Sequence, residues 1–212
     1  MNLVQPTILG IIGKPLAGKD TQADLLVAAH PEAVKISTGH ILRAVAEEGE
    51  THRFWPIVGP YIHMLDQGLK LPDAPIIDML SKVAKEQIAE GKTLLVVAGS
   101  PRSFEQLDGF QHIAQDVGAE LHIAHIDTTN EETYRRSALR NEGRSDDTPS
   151  VHAVRLEEFR THVQPVIESL RSQGHITEID GMLPVEVVFK RMENLVRGRI
   201  DPEIRLPAMA RR

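Results

Sequence analysis

The sequence predicts an α/β fold in which helices cover both faces of a five-stranded parallel sheet. Three observations predict it. Five short runs rich in Ile, Val and Leu have strand length: Thr7–Ile12, Ala33–Ser37, Thr93–Ala98, Glu120–Asp127 and His175–Asp180. Seven amphipathic segments of helical period separate and follow them: Thr21–Ala29, Gly39–Glu48, Asp73–Glu90, Phe104–Val117, Glu131–Arg140, Ser150–Ser172 and Pro184–Arg197. The strands are largely apolar rather than alternating, as expected of strands buried on both faces, and in such sheets ligands bind at the carboxyl ends of the strands.

Taken along the chain, the first strand runs directly into a glycine-containing loop and then the first helix. The fourth helix opens with Asp73 and Pro75, an N-terminal signal, and Gly91 follows its end. Gly174 closes the long helix that begins near Ser150. Two segments break the alternation. Glu48–Leu71 mixes glycine, proline and aromatic residues, and Leu139–Ser150, "LRNEGRSDDTPS", is polar and charged. Both read as insertions that could close over a ligand. No internal repeat and no low-complexity linker is visible, so one domain with insertions is expected.

Composition narrows the function. The chain has no cysteine, which removes disulfides, thiolate metal sites and thiol nucleophiles. A net charge of −6 argues against a general nucleic-acid binder. No apolar run reaches the roughly 20 residues that span a bilayer, and the first residues lack the charged start of a leader, so the protein reads as cytoplasmic with no membrane partner. His122 and His125 lie three apart on a strand and so on opposite faces, which argues against paired metal ligation. The C-terminal "RGRIDPEIRLPAMARR" is a basic, proline-interrupted tail.

The chemistry is written most plainly in Gly13–Lys19, "GKPLAGK", with the spacing G-x-x-x-x-G-K between a strand and a helix. Backbone N–H groups of such a loop and of the helix start cradle phosphates, and Lys19 would reach the β and γ oxygens. Four further segments follow in order: "KISTGHILRA" (Lys35–Ala44), "GLKLPDAPIIDML" (Gly68–Leu80), "GSPRSFEQL" (Gly99–Leu107) and "RRSALRNEGRSDDTPSVHAVRLEEF" (Arg135–Phe159). Together they resemble the adenylate kinases, of the nucleoside monophosphate kinase family, over about Ile8 to Val196.

The resemblance implies a P-loop NTPase-type three-layer fold with monophosphate-binding and short lid insertions. Its core would be residues 1–37, 72–139 and 149–197, the monophosphate-binding insertion 38–71, the lid 140–148 and the tail 198–212. It also implies transfer of the terminal phosphoryl group of ATP to AMP, giving two ADP, with Mg2+ as cofactor and a monomeric protein. On ATP it implies Gly13, Gly18, Lys19, Asp20, Thr21, Arg136 and Gly181, with Arg136 against the adenine. On AMP it implies Thr38, Arg43, Gly99, Arg102 and Gln106. Arg140, Arg144 and Arg155 would converge on the transferred phosphoryl group, with Asp146 and Asp147 positioning the lid arginines; for Asp147, helix capping is the plainer role. A bidentate guanidinium suits phosphate geometry, and a glutamine amide can donate to and accept from a base edge at once. Acceptors such as CMP or UMP, or a binding module without turnover, are the alternatives.

The chain departs from the family pattern at four positions. Leu16 and Asp20 stand where the family has glycine, Ala98 replaces a strand-end aspartate associated with magnesium, and His40 replaces an acidic residue. Leu16 is expected to restrict the loop. A carboxylate about 5 Å from a phosphate charge is repelled by roughly 3 kcal/mol at an effective dielectric near 20, and a magnesium ion between them reverses the sign. Asp20 is therefore either a relocated magnesium ligand, direct or through water, or a first-turn carboxylate favoured by the helix dipole.

Overall fold

The computed structural model describes residues 5–139 and 148–200. The proposed lid residues Arg140, Arg144, Asp146 and Asp147, and the tail from 201, lie outside the described residues. The sheet consists of β1 (Thr7–Ile12), β2 (Ala33–Ser37), β3 (Leu94–Ala98), β4 (Glu120–Asp127) and β5 (Thr177–Asp180). All pairs are parallel, in the order β2-β3-β1-β4-β5. The expected five-stranded parallel sheet is thus present. Because β1 goes first to one side and later strands to the other, a crevice opens at the carboxyl end of β1.

Three layers follow from strands apolar on both faces. On one face Ile8, Ile12, Leu95, Val97 and Ile123 pack under α5 (Asp73–Ala89), α6 (Phe104–Asp116) and α9 (Gln164–Ser172). On the other, Leu9, Ile11, Val96, Ala124 and Ile126 pack under α1 (Lys19–Ala29) and α10 (Val185–Ile200). Alternate residues of β1 serve opposite faces, the period-2 geometry of a strand. Among the described residues no helix is long and apolar enough to cross a membrane.

The segment after β2 is helical in pieces: α2 (Thr38–Glu48), a 3-10 turn at Gly49–Thr51, α3 (Trp55–Val58), another 3-10 turn at Gly59–Tyr61, and α4 (His63–Asp66). Pro56 and Pro60 stand in the first turns of two of these pieces, where proline is tolerated but restarts the helix. Phe54, Val58 and Leu71 tie the segment into the core on the α5 side.

Helix α7 spans Asn130–Leu139, and its expected last residue, Arg140, is outside the described residues. The long helix expected over Ser150–Ser172 is present as α8 (Pro149–Glu158), a π turn at Phe159–Val163, and α9. Pro165 explains the π turn, since its ring lacks the N–H for Thr161 and clashes with that carbonyl in regular α geometry. Helix α5 opens at Asp73, as expected. Pro72 is the cap residue and makes no side-chain cap bond, while the Asp73 carboxylate is taken by Lys70 and Gln106.

Candidate functional site

The loop between β1 and α1 is shaped by three residues with positive φ: Gly13 (154°), Leu16 (62°) and Gly18 (97°). At Gly13 a Cβ would lie 2.5 Å from the Ile126 carbonyl oxygen, so the loop passes against β4 where no side chain fits. Leu16 was expected to restrict the loop. Instead it takes the left-handed conformation itself, at about 1–2 kcal/mol for a residue with a Cβ. Turns with left-handed residues are what anion-binding concavities are made from. Lys19 Nζ folds back over the loop and donates to the carbonyls of Gly13 at 3.0 Å and Lys14 at 2.6 Å.

This loop forms one wall of a cleft at the carboxyl ends of β1, β2 and β3. The strand ends are close because they are in register: Ser37 pairs with Ala98, and Ala98 with Ile11. Ser37, Ala98 and Gly99 line the cleft together with Gly13, Lys19 and Asp20. Asp20 and Ala98 thus line the same cleft. Arg43 enters from α2, Arg102 from the turn after β3, and Arg155 from α8.

Arg102 is anchored by its Nε, which donates to the Gly99 carbonyl at 2.8 Å. Solvent reaches its side chain, yet the protein packed around it lowers the pKa of the guanidinium below the ordinary value, and the charges of Arg155 and Arg43 lower it further, against Glu158 and Asp20. Arg43, Arg102 and Arg155 thus bring three like charges to one cleft.

Asp20 is the carboxylate in this field. Burial pushes its pKa up, but the Ser37 hydroxyl and the Lys35 ammonium outweigh burial, with Lys19 adding to them, and hold it below the usual range. Lys35 Nζ lies 3.2 Å from Asp20 Oδ1 and 2.9 Å from Asp24 Oδ1. Asp20 makes no cap bond with its own helix, whose cap residue, Gly18, has no side chain.

Of the residues expected at the site, Gly13, Lys19, Asp20, Arg43, Gly99, Arg102, Gln106 and Arg155 line this one cleft. Thr38 does not; it is buried, and its hydroxyl is 3.0 Å from that of Ser100. Gly18, Thr21, Arg136 and Gly181 are also absent from the lining. Arg136 instead ties the loop to the end of the sheet, donating to the carbonyls of Leu16 at 3.2 Å and Gly181 at 2.8 Å. Its Nε donates to Glu132 Oε1 at 2.7 Å. Hydrogen bonds from Arg135 and Arg136 hold Glu132 down to about 2. These bonds take three of the five N–H donors of its guanidinium.

The cleft also holds residues that sequence patterns did not single out: Ser37, Lys70, Glu158, Phe159 and Val163. Phe159 and Val163 read as core positions of an amphipathic helix, and they are buried in the core as well as bordering the cleft. Lys70 carried no signal of its own, since its importance lies in contacts with Asp73 and Glu158.

Comparison with known proteins agrees with this geometry. The family model for adenylate kinase matches residues 11–175. An adenylate kinase of Synechococcus sp. is 29% identical over 191 residues, covering 88% of this chain and 94% of that protein. An adenylate kinase of Leptospira biflexa is 30% identical over 186 residues, covering 84% and 92%. UMP-CMP kinase 3 of Arabidopsis thaliana is 27% identical over 190 residues, covering 89% and 88%.

Proposed function

The chain belongs to the adenylate kinase family, and on that premise we propose that it is a nucleoside monophosphate kinase that moves the terminal phosphoryl group of ATP to AMP, giving two ADP. The observation that carries this reading is the meeting of Lys19, Arg43, Arg102 and Arg155 in one cleft beside the phosphate-type loop. Phosphoryl transfer between two nucleotides concentrates negative charge, so the protein's work is positioning and neutralisation, with no covalent intermediate. In this reading Arg43 and Arg102 hold the acceptor phosphate, while Lys19 and Arg155 face the transferred group. Arg136 supports the donor nucleotide through the loop and its planar face. Arg140, Arg144, Asp146 and Asp147 would complete the charge network from the lid.

Magnesium is proposed as the cofactor. Among the described residues no three acidic or histidine side chains group as a metal site. The fit is therefore of the kind magnesium favours with nucleotides, one carboxylate plus substrate oxygens and water. Asp20 suits that part, since it is held ionised and lines the cleft beside Lys19. Bound there, the ion would offset phosphate charge that the side chains alone leave uncompensated.

AMP is favoured as the acceptor by Gln106, whose amide in the cleft wall can address a base edge in two places. The likeness to a UMP-CMP kinase supports a second reading, with CMP or UMP in the same site. Phosphorus NMR of the protein with magnesium and ATP, offered AMP, CMP, UMP or GMP in turn, separates them. ADP formation fastest with AMP is expected. Faster transfer to CMP or UMP would favour the second reading, and no transfer to any acceptor would overturn both.

A further inference from the structure

Lys70, Asp73 and Gln106 form a continuous polar chain in the cleft wall. Lys70 and Gln106 line the cleft, and Asp73 joins them. Lys70 Nζ donates to both carboxylate oxygens of Asp73, at 2.7 and 2.8 Å. Asp73 Oδ1 accepts from Gln106 Nε2 at 2.9 Å, and Gln106 Oε1 accepts from the Arg102 backbone N–H at 2.8 Å. Lys70 is itself fixed at its backbone, whose N–H donates to Glu158 Oε2 at 3.0 Å. The carboxamide of Gln106 is thus held from two sides in a residue only 1% exposed.

A carboxamide is nearly symmetric in shape, and a flip exchanges its donor for its acceptor. Here the partners decide the orientation. A backbone N–H can only donate and a carboxylate can only accept, so a flipped Gln106 would face repulsion at both ends. Each end then keeps one valence for a ligand: the second N–H of Nε2 and the second lone pair of Oε1.

We propose that Lys70, through Asp73, is a specificity-determining positioning residue that locks the Gln106 carboxamide, so that the acceptor site takes a base bearing an amino group and rejects its keto counterpart. This rests on the reading of the cleft as the acceptor monophosphate's site. An amino group beside an unprotonated ring nitrogen, as in adenine or cytosine, matches the donor and acceptor order of a fixed amide. A keto group beside a ring N–H, as in hypoxanthine or uracil, presents the reverse order and requires the flip. Lys70 matters because Asp73 is the first residue of α5, where the helix's own N–H groups compete for the carboxylate. The ammonium on both oxygens keeps the carboxylate turned toward Gln106.

The test is calorimetric binding of the pairs AMP and IMP, and CMP and UMP, to the wild type, Lys70→Met and Lys70→Arg, with thermal unfolding of each. The wild type is expected to prefer the amino member. Lys70→Met should narrow that preference roughly tenfold, the worth of one hydrogen bond, and Lys70→Arg should restore most of it. A purely structural lysine would lower the melting temperature and weaken both members of a pair equally. Asp73→Asn, which keeps shape and removes the charge that Lys70 holds, is expected to act like Lys70→Met and stands in for it if that variant does not fold. An unchanged amino-to-keto ratio in the folded variant overturns the lock, as does a wild type that discriminates within neither pair. A wild type that binds CMP and not AMP overturns the AMP reading, while the CMP-to-UMP ratio still decides the lock.

Discussion

Arg102 shows what one residue at this site does. Its anchor on the Gly99 carbonyl fixes the direction of its guanidinium, which in the proposed function meets the acceptor phosphate. Arg102→Ala is expected to lower kcat/KM by a hundredfold or more, the scale of losing one preorganised donor to a developing charge. Solvent reaches this residue, so the melting temperature should hold within a few degrees. Lost stability with activity retained would reassign it to the fold. For Asp20 the measurement is the magnesium concentration giving half-maximal turnover. Asp20→Ala should raise it severalfold if the carboxylate faces the ion, whereas unchanged magnesium dependence and turnover would leave Asp20 as a first-turn carboxylate paired with Lys35.

Among the elements, α7 is joined to the phosphate-type loop by a short relay. Glu132 orients Arg136, and Arg136 holds the carbonyls of Leu16 and Gly181. With Glu132 held down to about 2 in the fold against an ordinary 4.5, the folded state binds fewer protons than the unfolded one between those values. The stabilisation is present above pH 4.5 and is lost as the pH falls toward 2. Thermal unfolding followed across that range should therefore decline more steeply in the wild type than in Glu132→Gln. Parallel declines would show that the relay contributes nothing to folding. The helix from Pro149 to Ser172 carries a second element-scale feature, since Arg155 and Glu158 of α8 and Phe159 and Val163 of the π turn line one cleft.

At the scale of the molecule, a side-chain hydrogen bond joins two neighbouring strands on one side of the sheet. His125 and Glu178 are register partners on β4 and β5, with Nδ1 2.8 Å from Oε2, and Arg171 of α9 holds the same carboxylate at 2.8 Å. His125 Nε2 is buried with no partner among the described residues, so protonation would create an unsatisfied donor. Burial lowers the His125 pKa below the usual 6.5, against the opposing pull of Glu178 and Asp127 and with Arg171 reinforcing the fall. The unfolded state therefore binds more protons just below 6.5, and stability contributed above 6.5 is lost as the pH falls through the folded value. Melting temperatures measured from pH 7.5 to 5 should fall in the wild type and fall less in His125→Gln, which keeps a donor for Glu178. Equal slopes would show that His125 does not couple the sheet to pH.

Strands, most helices and the phosphate-type loop were legible because they are set by local pattern: apolar runs, helical period, and glycines where the chain must turn. The order and identity of Gly13, Lys19, Arg43, Arg102 and Arg155 were legible too, since the family resemblance rests on residue types at those spacings. What only the tertiary structure decided depends on contacts between distant segments. The strand register brings Asp20 and Ala98 to one cleft, packing puts Thr38 behind its wall, and the surrounding loop holds Leu16 in a conformation its own side chain disfavours. Asp73 marks the start of α5 by its place along the chain, and the helix does begin there. Gln106 and Lys70, which meet it only in the fold, claim its carboxylate, a contact that no local pattern signals.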